Sequence, residues 1–224
     1  MHERPKALLI AGSSRAGATT SESIANYIIE RLSTKGVPST KLILNQLFKS
    51  ETGADEMLKL VDDADIVIFS FPLYVDTLPY LVTRAYELIH ERKKVSSPRS
   101  SRFFVVINSG FPEPHQSDTA IGISRRFAKA SGMTWAGAFA VGAGSAILGR
   151  PLQELKKKTK RLMEALDLAS DALACGVPIP NDAFKLVSKG LPAWIYVMAA
   201  NHVVKKEAAE NRTLERMHDR PYLR

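Results

Sequence analysis

The sequence predicts an α/β protein: an open, doubly wound parallel sheet of five strands with helices on both faces. Three observations predict it. Short apolar runs alternate with segments of helical period along the first three-quarters of the 224 residues, which is the pattern of βαβ units. The runs are apolar at consecutive positions, as strands covered on both faces are. Five of them fall between residues 6 and 141, too few and too closely spaced for an eight-stranded barrel, which takes about 250 residues.

Each element follows in order. Lys6–Ala11 (KALLIA) is a buried strand ending at Gly12. Residues 21–34 carry Ile24, Tyr27, Ile28 and Leu32 at helical spacing, and Gly36 closes that pattern. Thr40–Leu47 is the second strand and residues 55–62 a short helix; Asp65–Phe71 (DIVIFSF) is the clearest strand of all. Leu78–Glu91 is helical, Arg102–Asn108 (RFFVVIN) is a strand, residues 117–131 are helical up to Gly132, and Trp135–Val141 is the fifth strand. Pro151 opens a long amphipathic helix to Ala174, with Leu152, Leu155, Leu162, Leu166 and Leu173 among its apolar positions. VPIPND, after Gly176, reads as a connector, and a last helix is expected from Pro192 to Arg216.

Composition narrows the function classes. Hydrophobic residues at 45% and charged ones at 24% are those of a folded globular chain. The single cysteine, Cys175, rules out an internal disulfide framework, a four-cysteine zinc site and a cluster held by this chain alone. An intracellular, cytoplasmic setting is the expectation, with Cys175 a buried small hydrophobe. The apolar run near the start is too short for a signal-peptide core, and Leu191–Ala200 (LPAWIYVMAA) is about half a membrane span, so a soluble protein is expected. The net charge of +8 has no aromatic-interleaved basic stripe beside it. The dense run Lys156, Lys157, Lys158, Lys160 and Arg161 reads as a solvated helix face, and nucleic acid is not an expected partner.

Ligands of such sheets bind beyond the carboxyl ends of the strands. The loop after the first strand, from Gly12 to Ser23, holds six hydroxyl residues and Arg15 within twelve positions. Small residues, hydroxyls and the free N–H groups of the following helix favour a phosphate there. Gly12-x4-Gly17 lacks the lysine of a nucleotide-hydrolase loop, because Ala18 stands in its place. Ser14 occupies the middle-glycine position of a dinucleotide fingerprint. A monophosphate cradle fits best. Two further strand-end loops, Phe71–Pro79 and Asn108–Glu113, offer apolar and aromatic faces with backbone amides, the surroundings a planar ring requires. His90, His115 and His202 have no metal-ligand spacing, so no metal is expected. Asp62, Asp63 and Asp65 are explained by turn chemistry, and Ser145 is not in a GxSxG elbow.

GSSRAGATTSESIANYI, DADIVIFSFPLYVDTLPYLV and INSGFPEPHQ, in that order and spacing, resemble the flavodoxin-like NAD(P)H-dependent oxidoreductases, which include FMN reductases and quinone reductases. The resemblance covers the sheet domain and extends to a tail ending in Arg220-Pro221-Tyr222. It implies strand order 2-1-3-4-5, FMN as cofactor and NAD(P)H as electron donor. Ser13, Arg15, Thr19, Thr20 and Ser21 would then hold the flavin phosphate. Pro72, Leu73, Tyr74 and Val75 would line the isoalloxazine ring, and Ser109, Gly110 and Phe111 its other edge. Ser14 and Ala18 depart from the residues common there. The expected division is residues 1–176 as FMN-binding domain and 177–224 as a helical extension, packed on the domain or at the interface of a homodimer. The implied activity passes a hydride from nicotinamide through FMN to a quinone or another small acceptor, with no catalytic residue assigned because the flavin brings its own chemistry. Two alternatives stand beside it: a flavodoxin-type electron carrier that does not oxidise NAD(P)H, and a non-catalytic flavodoxin-like binding protein.

Overall fold

The computed structural model describes residues 4–95, 100–188 and 193–219. The chain forms two compact units, Met1–Gly190 and Leu191–Arg224. In the first, strands β1 (Ala7–Ala11), β2 (Ser39–Ile43), β3 (Ile66–Pro72), β4 (Arg102–Asn108) and β5 (Thr134–Val141) make one sheet in the order β2-β1-β3-β4-β5. All four ladders are parallel. The fold class and strand order are those expected.

Both faces of the sheet are covered, which is why the central strands β1, β3 and β4 are apolar and buried at nearly every position. Leu9, Ile66, Ile68, Phe104, Val106 and Phe139 share a core with α1 (Thr20–Thr34), α6 (Lys160–Cys175) and α7 (Asn181–Ser188). Leu8, Ile10, Val67, Phe69, Phe103 and Val105 share the other with α3 (Gly53–Asp63), α4 (Tyr80–Val95) and α5 (Asp118–Ala130). Each fully buried Phe or Leu contributes roughly 1.5–3 kcal/mol. On the second face the Tyr86 and Phe127 rings stack at 4.0 Å, and Phe69 meets Tyr86 edge-on at 5.0 Å. Burial raises the Tyr86 phenol above its ordinary pKa, and its hydroxyl is paired with Ser124 at 3.1 Å.

Local chemistry sets the helix ends that matter for the site. Thr19, in extended conformation, accepts the Glu22 N–H at 3.2 Å and starts α1. Arg102, at the start of β4, donates to the Ala172 and Leu173 carbonyls at 3.0 and 3.2 Å and to that of Val177. It thereby ties the end of α6 to the sheet, where Gly176 supplies the left-handed residue that ends the helix. Asp65 accepts the Lys6 N–H at 2.9 Å and Asp62 pairs with Arg92 at 2.9 Å, so these acids serve turns and surface pairs.

Several expectations are corrected. The second strand stops at Ile43, and Leu44–Leu47 is a short helix, α2. The helix expected from Pro151 to Ala174 is two pieces: a 3-10 segment, Leu152–Lys158, and then α6. Lys156 turns back at φ 47°, and the Thr159 hydroxyl donates to the Leu152 carbonyl at 2.6 Å, closing the turn. Lys156, Lys157 and Lys158 are therefore on a turn and not on a helix face. Asn181–Ser188 is a helix, so the connector expected over VPIPND ends at Pro180 and Asn181 and Asp182 are helical; Ala183 is buried and the Phe184 ring meets Phe139 edge-on at 5.4 Å. A bulge in β5 lets Phe184 in, because Gly137, at φ 128°, leaves the place where a Cβ would lie 2.8 Å from that ring. Cys175 is exposed, not buried.

The second unit holds α8 (Ala193–Glu210) and a 3-10 turn, Leu214–Arg216. Trp194, Val197, Met198, Val203 and Val204 are exposed along α8. Leu191, Pro192 and the Arg220-Pro221-Tyr222 tail lie outside the described residues. Among the described residues no helix is long and apolar enough to cross a membrane.

Candidate functional site

In this strand order the connections leave β1 and β3 in opposite directions, and a crevice opens beyond their carboxyl ends. A cleft of about 280 Å³ lies there, near the lower end of the roughly 300–1,000 Å³ of small-molecule sites. Four strand-end loops converge on it. The first supplies Ser13, Arg15, Ala16, Ala18, Thr19, Thr20 and Ser21; the third strand's loop supplies Pro72, Leu73 and Tyr74. Asn108, Ser109 and Gly110 come from β4, and Gly144, Ser145, Leu148 and Gly149 from beyond β5.

Hydrogen bonds lock these loops together. The Asn108 amide donates to the Ser21 hydroxyl at 2.9 Å and to the Phe71 carbonyl at 3.1 Å, joining β4 to α1 and β3. The Leu73 N–H returns a bond to the Asn108 carbonyl at 2.8 Å. The Thr20 hydroxyl donates to the Gly144 carbonyl at 3.0 Å, and the Ser14 hydroxyl donates to the Tyr74 hydroxyl at 3.3 Å. Such cross-loop pairs fix the wall positions before any ligand arrives.

Two tight turns with left-handed residues stand at the mouth. Tyr74 and Thr77 exchange two backbone hydrogen bonds of 3.1 Å around Val75 (φ 47°) and Asp76 (φ 60°). A β-branched residue there is strained, by about 1–2 kcal/mol. The second turn has Leu148 at φ 49° and Gly149 at φ 74°, with the Arg150 N–H donating to the Ile147 carbonyl at 3.0 Å. A Cβ on Gly149 would lie 2.4 Å from the Ala18 carbonyl oxygen. The small residues at 18 and 149 thus let the fifth strand's loop close against the first.

Ten of the twelve residues singled out from the sequence line the cleft: Ser13, Arg15, Thr19, Thr20, Ser21, Pro72, Leu73, Tyr74, Ser109 and Gly110. Val75 and Phe111 do not line it; their side chains are 95% and 54% exposed. The Thr19 hydroxyl is engaged in the helix cap, the Thr20 hydroxyl with Gly144 and the Ser21 hydroxyl with Asn108, so what this loop leaves to the cleft is its amides, the Ser13 hydroxyl and Arg15. Sequence reasoning did not select Asn108, Gly144, Ser145, Leu148 or Gly149. The glycine-rich run after the fifth strand is the signal that points to four of them, since that strand also ends at the crevice. Among the described residues no group of three or more His, Cys, Asp or Glu is placed to hold a metal ion.

No protein-family model matches the chain, and no curated protein matches it. Solved structures do. An NADH:FMN oxidoreductase in its apo form is 14% identical, over 84% of this chain and 96% of its own, with a TM-score of 0.57. A flavone reductase is 12% identical over 75% of this chain and 62% of its own, at 0.58. An NAD(P)H:quinone oxidoreductase from Methanothermobacter marburgensis is 10% identical over 76% and 96%, at 0.56. Together with the strand order, these likenesses show a flavodoxin-like fold.

Proposed function

We propose that the chain is an FMN-dependent oxidoreductase that takes electrons from NAD(P)H and passes them to a small acceptor such as a quinone. One observation carries the proposal: a hydroxyl- and amide-rich loop with Arg15 and two ring-sized strand-end loops open into a single cleft at the switch point of the sheet. The residues fit the cofactor. Ser13, Arg15, Thr19, Thr20 and Ser21 form the phosphate end, where the first amides of α1 point outward and favour an anion. Pro72, Leu73 and Tyr74 would flank one side of the ring and Ser109 and Gly110 its other edge, with Val75 and Phe111 outside the cleft at its rim. The similar solved structures include proteins described as flavin and quinone oxidoreductases, which supports the same reading.

FMN, when bound, supplies the hydride chemistry. The donor gives up one hydride, that is two electrons and one proton together, and a quinone acceptor takes two electrons and two protons, the second proton coming from water. The chain's own work is to bind, orient and exclude water. Arg15 balances the phosphate charge. Asn108 holds the β3 and β4 loops at a fixed separation, and the exposed side chains of Val75 and Phe111 offer apolar contact to a planar acceptor at the rim. A reducing cellular compartment, a homodimer and a helical extension beyond residue 176 complete this reading. The test is an anaerobic absorbance titration of FMN-loaded protein with NADPH and NADH. Bleaching of the flavin bands by a nucleotide supports the reductase; bands that persist with both favour an electron carrier.

A further inference from the structure

Helix α8 leaves a row of apolar side chains uncovered. Trp194 is 67% exposed, Val197 53%, Met198 61% and Val204 50%. Trp194, Val197, Asn201, Val204 and Ala208 follow one another at spacings of three, four, three and four residues along a helix of 18. That alternation, about 3.5 residues on average, keeps them in a single stripe and is the seam by which two helices pack side by side. Met198 lies beside the stripe, one turn after Trp194. Scattered exposed apolar residues are ordinary, but a contiguous row marks a contact surface.

The stripe fits a second copy of itself read in the opposite direction. Paired antiparallel about Asn201, two such helices set Trp194 against Ala208 of the partner subunit, Met198 against Val204 of the partner subunit, and Asn201 against Asn201 of the partner subunit. The largest side chain of the row then meets the smallest, which is how facing layers fill space without a void. A parallel pair would stack Trp194 on its own copy and Ala208 on its own, crowding one end and leaving a gap at the other. At the centre the two carboxamides donate and accept reciprocally, and a lone polar residue in such a seam fixes its register. Glu207 and Glu210, near the end of α8, come to the first turn of the opposite helix, where unpaired N–H groups favour negative charge. A two-fold contact requires this self-complementarity. Lipid is the other surface an exposed apolar helix can meet, but residues 193–219 hold four Lys and Arg against four Asp and Glu. That segment brings no excess positive charge to anionic headgroups.

We infer that α8 is a dimerisation helix, through which two chains associate by antiparallel pairing of the Trp194–Ala208 stripe about Asn201. The pairing gives the homodimer a contact surface and does not depend on flavin chemistry. The test is sedimentation velocity of the full chain from about 1 to 100 μM, a range that brackets a micromolar constant, beside the double variant Met198→Glu with Val204→Glu. Both positions are exposed, so the variant should keep the circular dichroism spectrum and melting temperature of the parent. The expected result is a reversible dimer of twice the chain mass, with the micromolar dissociation constant of a small contact. The double substitution should raise that constant at least about tenfold, because it sets carboxylates opposite each other. Disulfide mapping in a Cys175→Ser background, chosen because Cys175 is exposed, checks the direction. Asn201→Cys should cross-link to its own copy, and Trp194→Cys to Ala208→Cys but not to itself. A chain that stays monomeric throughout, a dimer indifferent to the double substitution, or self-cross-linking of Trp194→Cys overturns the assignment. A monomer that sediments with phosphatidylcholine–phosphatidylserine vesicles, and loses them on the double substitution, overturns it in favour of a lipid surface.

Discussion

Replacing Asn108 tests the internal logic of the cleft. Its side chain is 6% exposed and makes two hydrogen bonds, to the Ser21 hydroxyl at 2.9 Å and the Phe71 carbonyl at 3.1 Å. Each such bond contributes about 0.5–1.5 kcal/mol net, and a buried group left short of its partner costs about 1–3 kcal/mol more. Ser21 is 1% exposed, so water does not replace the lost donor at its hydroxyl. Asn108→Ala is therefore expected to destabilise by about 2–4 kcal/mol, or roughly 5–15 °C in melting temperature for a domain of this size. Asn108→Asp keeps the shape and removes the donor. It should be nearly as damaging, because a carboxylate faces the Phe71 carbonyl. Urea unfolding of Asn108→Ala, Ser21→Ala and the double variant gives the coupling directly, expected at about 1 kcal/mol. Strict additivity, or an Asn108→Asp protein as stable as the parent, would refute the reasoning.

Three further outcomes follow from the geometry. Gly149→Ala places a Cβ 2.4 Å from the Ala18 carbonyl at φ 74°; FMN affinity should fall at least about tenfold, with a strain cost of about 1 kcal/mol visible in unfolding, and unchanged affinity would contradict the close approach. Val75→Asn relieves a β-branched residue at φ 47° on an exposed turn, since asparagine tolerates that region; a gain of about 0.5–1 kcal/mol is expected from thermal unfolding, and a loss would count against the strain. Burial and then the hydrogen bond to Asp167 push the Tyr27 phenol from 10.0 up to about 12. A pKa raised in the folded state gives stability that is complete below pH 10.0 and is lost as pH rises through about 12. Measured against Tyr27→Phe, the parent should lose about 1–2 kcal/mol across that window, the half-exposed Asp167 reducing the full value; parallel pH profiles would contradict the assignment.

The central strands were legible because burial on both faces leaves an almost uninterrupted apolar run, and β4, Arg102–Asn108, matches the sequence reading residue for residue; the edge strand β2, half exposed and polar, gave no such run and its end was misplaced. The first loop's place at the cleft was legible because its small and hydroxyl residues are consecutive in sequence and follow a strand. What was not legible depends on contacts between distant segments. Asn108 looks like the end of a strand until Ser21 and the Phe71 carbonyl arrive on either side of it. α7 is short and follows two prolines, and its reason to be a helix is Phe184 against Phe139 and Gly137. The helix expected through Lys156–Lys158 has the right apolar period, but the Thr159 hydroxyl bonding the Leu152 carbonyl breaks it, and periodicity carries no trace of that. Ala18, a departure when read as a phosphate ligand, is explained by the backbone of Gly149 packed against it.

The central claim is that the loop from Gly12 to Ser21 is a phosphate cradle inside a flavin cleft. Fluorescence titration of the protein with FMN and with riboflavin, which differ only in the phosphate, tests it most directly. The account predicts one FMN per chain and an affinity for FMN at least about a hundredfold above that for riboflavin, the range that two or more charge-assisted hydrogen bonds provide. Equal affinity for the two, or no binding of either, would contradict it.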